Sequence, residues 1–373
     1  MKIIIKQNIL MEHLNYAIRG ISNKNLIPVL SCIKFDVKKE GIYLSSTDND
    51  IAIKTFIDVS DVESIEETGS FVVSGRLIYD YIRKLPGQII TIEELIDNKI
   101  NIFTKISQTN LNCNKVEEFP NIELEESKDP IVMDKKLFKT IINQTIFATS
   151  TEEARPVLTG INLKITGKKL ECTATDSYRL AKKEVTLDKE VKEAVNIIIP
   201  TRNLNELLKL LNDEDSLELN IFNNKIIFRF DSITMLSRII NGTYPDVNKL
   251  IPDSFDLIVN VNLNDFYDAI DRASLLTNEN EKNTIKFETK GNIVIVSSNL
   301  PEKGNVEEKL SCEKNVEKDI KIAFSSKYML DAIKSFNCDQ VELMFNGEIK
   351  PIIIKNAEDD KLTQLILPIR TYW

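Results

Sequence analysis

The stretch CTATDSYRLAKK, residues 172–183, places a carboxylate, a phenol and a guanidinium within residues 176–179. Asp176 could act as an acid and Arg179 could stabilise an anion, so these residue types are compatible with a hydrolase site. An earlier stretch, SSTDNDIAIK at residues 45–54, carries the same Thr-Asp pair 128 residues before. Because Asp side chains often bond local backbone N–H groups in turns, the repetition favours hairpin-turn roles for Asp48 and Asp176. A hydrolase using Asp176 and Arg179 remains as the weaker alternative.

Other catalytic patterns are missing from the sequence. There is no G-x-x-x-x-G-K-[ST] loop, no G-x-G-x-x-G after a strand and no G-x-S-x-G elbow. His13 has no second histidine with which to share a metal or a proton, and the five cysteines never approach C-x-x-C spacing. The sequence therefore predicts reduced thiols, no metal, no cofactor and no catalytic residue.

A faint internal repeat organises the chain. Amphipathic helices are predicted by apolar residues at three-and-four spacing from Asn8, Asp134 and Leu263, and each is followed by β-branched hairpins. A second helix follows in each copy, with predicted N-caps at Ser74, Thr201 and Ser325. The offsets between matching motifs agree: 128 residues from Pro28 to Pro156, and 125 residues from Phe119-Pro120 to Tyr244-Pro245.

The repeat predicts an α+β fold with three tandem copies of a domain that has two helices and about eight strands. The predicted domains are residues 1–125, 126–248 and 249–373. No glycine-rich linker marks either boundary, so neighbouring copies are expected to pair strands or to pack tightly.

Charge is distributed unevenly along a chain whose total is −9. The segments predicted as helices carry a net +4, which leaves −13 for the rest of the chain. The segments predicted as helices are residues 8–20, 75–85, 134–148, 202–212, 263–277 and 326–335. Helices turned toward a polyanion could bind it despite the negative total, although the helix from Leu263 is itself acidic. A content of 42% hydrophobic and 28% charged residues, with no signal peptide or apolar anchor at the start, predicts a cytoplasmic protein without a membrane partner.

Six motifs together identify a family resemblance. They are NLIPVLSCIKF at Asn25, ARPVLTGINL at Ala154, TATDSYRLA at Thr173, IPTRNL at Ile199, NGTYPDVNKLIP at Asn241 and LPIR at Leu367. With the threefold repeat, they make the chain resemble the bacterial DNA sliding clamp, the β subunit of DNA polymerase III, from end to end. The resemblance implies a head-to-tail homodimeric ring with helices inside and sheets outside, which encircles duplex DNA without reading its sequence. A scaffold that binds proteins but not DNA is the alternative.

The resemblance also implies partners and three sets of site residues. The partners are the replicative polymerase α subunit, clamp-loader subunits and other proteins with a clamp-binding peptide motif, whose leucine and aromatic anchors fill an apolar groove. The implied groove residues are Thr175, Tyr178, Arg179, Leu180, Pro245, Leu250, Tyr328, Leu367, Pro368 and Ile369. The implied DNA-facing residues are Lys24, Arg76, Arg155 and Arg202, and the implied dimer contacts are Leu111, Leu275 and Leu276.

The chain departs from the family pattern at the groove. Many relatives have Gly-His where this chain has Ser177-Tyr178, and Met-Pro-Met-Arg where it has residues 367–370. The loss of two flexible thioethers predicts a less adaptable pocket. An aromatic tail, residues 371–373, continues beyond the motif and could lie across the groove or extend into solvent.

Overall fold

The computed structural model describes residues 1–22, 27–213 and 215–371. The chain forms two compact units, each built on its own sheet. Unit 1 consists of Met1–Lys136 and Arg202–Ile239, and unit 2 consists of Leu137–Thr201 and Ile240–Trp373. The units differ from the three repeat copies because strands of the second copy take part in both sheets.

Six α-helices are present in the described residues. Their apolar faces follow the predicted spacing: α2 buries Ile78 and Ile82, and α5 buries Phe266 and Ile270. The helices are α1 Gln7–Ala17, α2 Gly75–Lys84, α3 Lys135–Asn143, α4 Thr201–Leu210, α5 Leu263–Ser274 and α6 Ser326–Ile333.

Two of the three predicted N-cap residues directly precede their helices, but their side chains do not make the capping hydrogen bond. Ser74 and Ser325 immediately precede α2 and α6, but neither side chain accepts a capping hydrogen bond. Thr201 is the first residue of α4, and its hydroxyl is buried without a partner among the described residues. Asn262, which was not predicted, caps α5 by accepting from the Asp265 N–H at 3.0 Å.

Antiparallel strands form a 13-stranded sheet in unit 1. Along the sheet the order is β10-β13-β14-β15-β4-β3-β2-β6-β9-β8-β7-β1-β5. The strands, numbered along the whole chain, are β1 Lys2–Lys6, β2 Cys32–Lys38, β3 Gly41–Thr47, β4 Ile51–Asp58, β5 Val62–Glu67, β6 Gly69–Ser74, β7 Ile89–Leu95, β8 Lys99–Phe103, β9 Gln108–Asn114, β10 Ile131–Asp134, β13 Ser216–Ile221, β14 Lys225–Phe230 and β15 Ile233–Arg238.

A 10-stranded antiparallel sheet forms unit 2. Its order is β11-β12-β23-β22-β21-β16-β19-β18-β17-β20. The strands are β11 Gly160–Thr175, β12 Arg179–Pro200, β16 Leu257–Asn262, β17 Thr284–Lys290, β18 Ile293–Leu300, β19 Gly304–Lys314, β20 Lys321–Ser325, β21 Gln340–Phe345, β22 Ile352–Asn356 and β23 Asp359–Ile366.

Strand pairing joins neighbouring copies of the repeat, which confirms the expectation drawn from the missing linkers. In unit 1, β4 of the first copy pairs with β15 of the second, with Ile51 opposite Ser237. In unit 2, β12 of the second copy pairs with β23 of the third, with Arg179 opposite Ile366. In both cases the strand that follows the Thr-Asp turn pairs with the last strand of the next copy.

The core of each unit lies between its sheet and its helices. In unit 1, Phe35 and Phe71 stack with ring centroids 4.5 Å apart. In unit 2, the Phe287 ring contacts Phe266, Phe324 and Phe345 at centroid distances of 5.6 to 6.1 Å. Burial of each such side chain contributes roughly 1.5–3 kcal/mol to folding. Among the residues that the structure describes, no helix has both the length and the apolar character needed to cross a membrane.

Candidate functional site

The turn at residues 175–179 is closed by its own side chains. The Thr175 hydroxyl donates to the Arg179 carbonyl at 2.6 Å, and Asp176 Oδ1 accepts from the backbone N–H groups of Tyr178 and Arg179, both at 2.9 Å. Ser177 takes a left-handed conformation with φ of 78°. Asp176 is therefore a hairpin-turn residue, as the sequence predicted.

Arg179 fixes this turn to helix α6. Its side chain is buried, with Nε 3.0 Å from Asp176 Oδ2 and Nη1 2.6 Å from Asp331 Oδ2. Its guanidinium also lies over the rings of Tyr328, at 4.5 Å, and Phe147, at 5.5 Å. Both oxygens of Asp176 are thus bonded to protein groups and the guanidinium lies against two rings, an arrangement that holds structure rather than one poised for hydrolysis.

An open depression of about 1020 Å³ lies in unit 2 beside this turn. Two backbone hydrogen bonds hold the segment that forms one wall: Leu367 N–H donates to the Tyr178 carbonyl at 2.9 Å, and Ile369 N–H donates to the Ala323 carbonyl at 2.7 Å. The residues lining it are Tyr178, Tyr328, Leu367, Pro368 and Ile369 from the predicted groove, together with residues 279–284, Ser325, Lys327, Arg370 and Thr371.

The other five predicted groove residues lie elsewhere in unit 2. Leu180 is only 1% exposed and belongs to a buried cluster with Val247, Met344, Ile353 and Leu365. Thr175 and Arg179 are also buried, whereas Pro245 and Leu250 are exposed. Three of the predicted residues, Thr175, Arg179 and Leu180, are therefore buried and do not line the depression.

Sequence reasoning missed two parts of this site. Tyr244 lies beside the predicted Pro245, and its hydroxyl accepts from the Thr175 N–H at 3.0 Å. Burial raises the pKa of this phenol, so it stays neutral. The loop at residues 279–284 forms a second wall, and Lys282 Nζ lies 5.9 Å from the Tyr178 ring centroid. The YPDV motif could have identified Tyr244, but nothing in the sequence marked the loop.

The predicted DNA-facing residues occupy different settings. Arg76 is exposed on α2 with Nε 3.7 Å from Asp80, and Arg202 is exposed on α4 and ion-paired with Asp48. Arg155 is exposed in unit 2, with Nη1 3.4 Å from the Ser177 hydroxyl oxygen. Lys24 lies outside the described residues.

The predicted dimer contacts differ in how far their side chains are exposed to solvent. Leu111, on β9, is 8% exposed and packs in the core of unit 1. Leu275 follows α5 and is 76% exposed, whereas Leu276 is half-buried. Adjacent helical positions point in different directions, so Leu275 presents most of its side chain to solvent and Leu276 does not.

Two strands keep a partly open edge in the described residues. On one side β9 pairs with β8 over residues 108–112, but on the other it pairs with β6 only through Cys113 and Asn114. Likewise, β19 pairs with β18 over residues 304–311, while on its other side it pairs with β16 only over residues 312–314. Residues 108–112 and 304–311 thus have one edge each available for a further strand.

The cysteines and the histidine take structural roles. All five cysteines are free thiols, and burial raises the pKa of each one. His13 Nδ1 is 2.7 Å from the Thr55 hydroxyl, and burial lowers the histidine pKa. Within residues 1–22, 27–213 and 215–371, no cluster of three or more His, Cys, Asp or Glu side chains could hold a metal ion.

Comparison with known proteins gives matches along the whole chain. Models of the N-terminal, central and C-terminal domains of the DNA polymerase III beta subunit match residues 1–123, 132–246 and 248–370. The beta sliding clamps of Staphylococcus epidermidis and Staphylococcus aureus are 40% and 39% identical, and each match covers both chains completely.

Solved structures agree with these matches. The DNA polymerase sliding clamp of Bacillus subtilis superimposes with a TM-score of 0.96 at 34% identity, and the match covers both chains completely. The DNA polymerase III beta chain of Streptococcus pneumoniae gives a TM-score of 0.95 at 33% identity and covers 99% of this chain and 100% of its own. The chain belongs to the DNA polymerase III beta subunit family, the beta sliding clamps.

Proposed function

We propose that two copies of this sliding clamp close head to tail into a ring around duplex DNA. The observation that carries this proposal is the repeated pairing of β4 with β15 and of β12 with β23. In the third copy, β19 follows the equivalent turn and so corresponds to β4 and β12. In the first copy, β9 is the last strand and so corresponds to β15 and β23. Both have an open edge in the described residues, so pairing β19 of one chain with β9 of a second chain continues the same rule. Applied twice, the rule joins six domains, residues 1–125, 126–248 and 249–373 of each chain.

Exposed apolar side chains support the same contact. Leu275 is the most exposed leucine of the described residues and follows α5, whose Arg272 makes two hydrogen bonds to Glu308 of β19. The open strand and Leu275 therefore lie on connected elements. In the proposed dimer Leu275 and Leu276 pack against the partner's surface around Leu111, which is itself buried in unit 1.

DNA binding in this proposal is electrostatic and independent of sequence. The helices carry the positive excess, and Arg76, Arg155, Arg202 and Lys24 are the proposed phosphate contacts. Because Arg202 is ion-paired with Asp48 and Arg76 lies near Asp80, each cation is partly neutralised. Weak, exchangeable contacts of this kind suit a ring that slides, since topology rather than affinity retains the DNA.

The depression in unit 2 is proposed as the docking groove for the polymerase. Tyr178, Tyr328 and Leu367 offer apolar surface to leucine and aromatic anchors of a peptide. The proposed partners are the replicative polymerase α subunit, clamp-loader subunits and other proteins with the same motif, in the cytoplasm at the replisome. Sliding clamps are processivity factors rather than catalysts, and no residue is assigned a catalytic role.

Retention on circular DNA tests the ring. The protein is loaded onto a nicked circular plasmid with a clamp-loader complex and ATP, isolated by gel filtration, and the plasmid is then cut once. We expect retention on the circle and release after cutting. Leu275→Asp should abolish retention and give the mass of a single chain in solution, whereas Ile349→Asp, at another exposed aliphatic residue of unit 2, should change neither.

Two outcomes would contradict the ring. Equal loss of protein from cut and uncut plasmid would remove topological binding. Peptide binding without any retention on the circle would favour a protein-binding scaffold instead.

A further inference from the structure

The first copy of the repeat reproduces the turn that borders the groove. The Thr47 hydroxyl donates to the Ile51 carbonyl at 2.8 Å, and Asp48 Oδ1 accepts from the N–H groups of Asp50 and Ile51 at 3.1 and 3.0 Å. Asn49 has the same φ of 78° as Ser177. All four features match residues 175–179 at an offset of 128.

The segment that crosses this turn is also reproduced. Arg238 N–H donates to the Asp50 carbonyl at 2.8 Å, just as Leu367 N–H donates to the Tyr178 carbonyl at 2.9 Å. Arg238 is the last residue of β15, and Leu367 directly follows β23. These are the strands that pair with β4 and β12 after the two turns. Arg238, from the second copy, therefore takes at the turn of the first copy the place that Leu367, from the third copy, takes at the turn of the second.

A depression of about 210 Å³ accompanies the first turn, within unit 1. We call it the second groove. Its volume is below the roughly 300 Å³ at which pockets for drug-sized ligands begin, so it suits one side chain rather than a row of anchors. Its lining residues are Thr47, Asn49, Ala52, Pro120, Asn121, Ile122, Glu123, Asn224, Lys225, Leu236 and Arg238.

The second groove has Arg238 at the place where the groove of unit 2 has Leu367. Arg238 is exposed and has no ion-pair partner among the described residues. Lys225 Nζ lies 3.1 Å from Glu125 and 3.9 Å from Glu123, so it offsets the one acidic residue of the lining. A guanidinium can form two parallel hydrogen bonds with a carboxylate, so Arg238 is better suited than Lys225 to bind a carboxylate.

We propose that the second groove binds a single aspartate or glutamate side chain of a partner-protein segment that lies extended across the turn at residues 47–51. Arg238 would pair with the carboxylate, and Ala52, Ile122 and Leu236 would contact its aliphatic stem and the neighbouring residue. Ala52 stands where the second copy has Leu180, and the smaller side chain leaves room for that stem. The site is independent of ring closure and of the groove in unit 2.

Methyl NMR of the full-length protein tests this proposal. The probes are acetyl-Ala-Glu-Leu-amide and the matched acetyl-Ala-Gln-Leu-amide, with the Ala52, Ile122 and Leu236 methyl groups observed. The glutamate peptide should shift all three resonances saturably, with an affinity at least tenfold higher than that of the glutamine peptide. Arg238→Gln should remove the difference between the peptides, whereas Arg83→Gln, at another exposed arginine of unit 1, should keep it.

Three results would overturn the proposal. They are equal affinities for the two peptides, an undiminished preference in Arg238→Gln, and shifts with acetate alone that match those with the glutamate peptide. The last result would indicate a site for free anions. Because Arg238 is exposed, its substitution should leave the remaining methyl resonances in place, which checks the fold in the same spectra.

Discussion

The turns at residues 47–51 and 175–179 share a backbone and differ in what surrounds them. Each has a threonine that closes the turn, an aspartate that accepts two backbone hydrogen bonds and a left-handed residue in the middle. Around the first turn lie Arg238 and Ala52, and around the second lie Leu367 and Leu180. The two turns thus share one backbone, and the side chains beside them give the two proposed grooves different surfaces.

The aspartates of the two turns also differ in their cationic partners. Asp176 pairs with the buried Arg179, which also reaches Asp331, whereas Asp48 pairs with the exposed Arg202 of α4. One turn is therefore fixed to the core of its unit, and the other is paired with a proposed DNA contact.

Separate replacement of Arg179 and of Arg202 should give the largest difference between the two turns in the free energy of unfolding. Arg179→Ala leaves the largely buried Asp176 and the partly exposed Asp331 without their counter-charge, so we expect a loss of roughly 3 kcal/mol in the free energy of unfolding. Arg202→Ala removes a cation that is itself exposed and leaves one buried carboxylate, Asp48, which keeps its two backbone hydrogen bonds, so we expect a smaller loss of about 1 kcal/mol. Urea denaturation followed by circular dichroism measures both, and equal losses would contradict the structural role of Arg179.

An exchange of lining residues should change binding without changing the fold. Leu367→Arg places in the groove of unit 2 the residue type that the second groove has at Arg238. We expect binding of a peptide with leucine and phenylalanine anchors to weaken at least tenfold, about 1.4 kcal/mol, because a charge replaces apolar contact. Ile349→Arg, at an exposed position outside the groove, is the control in a fluorescence polarisation titration. Unchanged affinity in Leu367→Arg would show that the groove does not dock these anchors.

Removal of the threonine hydroxyls should affect the two turns alike. Thr47→Val and Thr175→Val each delete a hydrogen bond to the carbonyl four residues later, at a buried position. A loss of about 1 kcal/mol is expected for each in the free energy of unfolding. If thermal or urea unfolding separated the two variants by several kcal/mol, the turns would not be equivalent scaffolds.

The left-handed residue gives the smallest expected difference. Ser177→Gly should stabilise the protein by about 0.5 kcal/mol, because glycine adopts a positive φ without the steric cost paid by serine. Asn49→Gly should have a smaller effect, since asparagine tolerates this conformation. Thermal unfolding midpoints of both variants test it, and destabilisation by Ser177→Gly would refute it.

Local and repeated features could be predicted from the sequence. The offset of 128 residues identified the two aspartates as turn residues, and the missing linkers indicated strand pairing between copies. The resemblance gave the family, the fold and five residues that line the groove. The two turn aspartates follow from spacing along the chain, and the family and groove residues follow from the motifs that carry the resemblance.

Features that depend on distant contacts could not be predicted. Asp331 lies 152 residues from Arg179 along the chain, and nothing in its sequence context marks it as a partner. The burial of Leu180 depends on Met344, Ile353 and Leu365 from later strands. Likewise, the exposed Leu275 and half-buried Leu276 have the same residue type, so only packing separates them.

The number of anchored peptides bound per chain tests the contrast between the two turns most directly. Isothermal titration calorimetry with the peptide carrying leucine and phenylalanine anchors measures this number together with the affinity. We predict one peptide per chain, with its affinity reduced at least tenfold by Leu367→Arg and unchanged by Arg238→Gln. Two equivalent sites per chain, or a single site that Arg238→Gln removes, would contradict the conclusion that the lining rather than the turn selects the ligand.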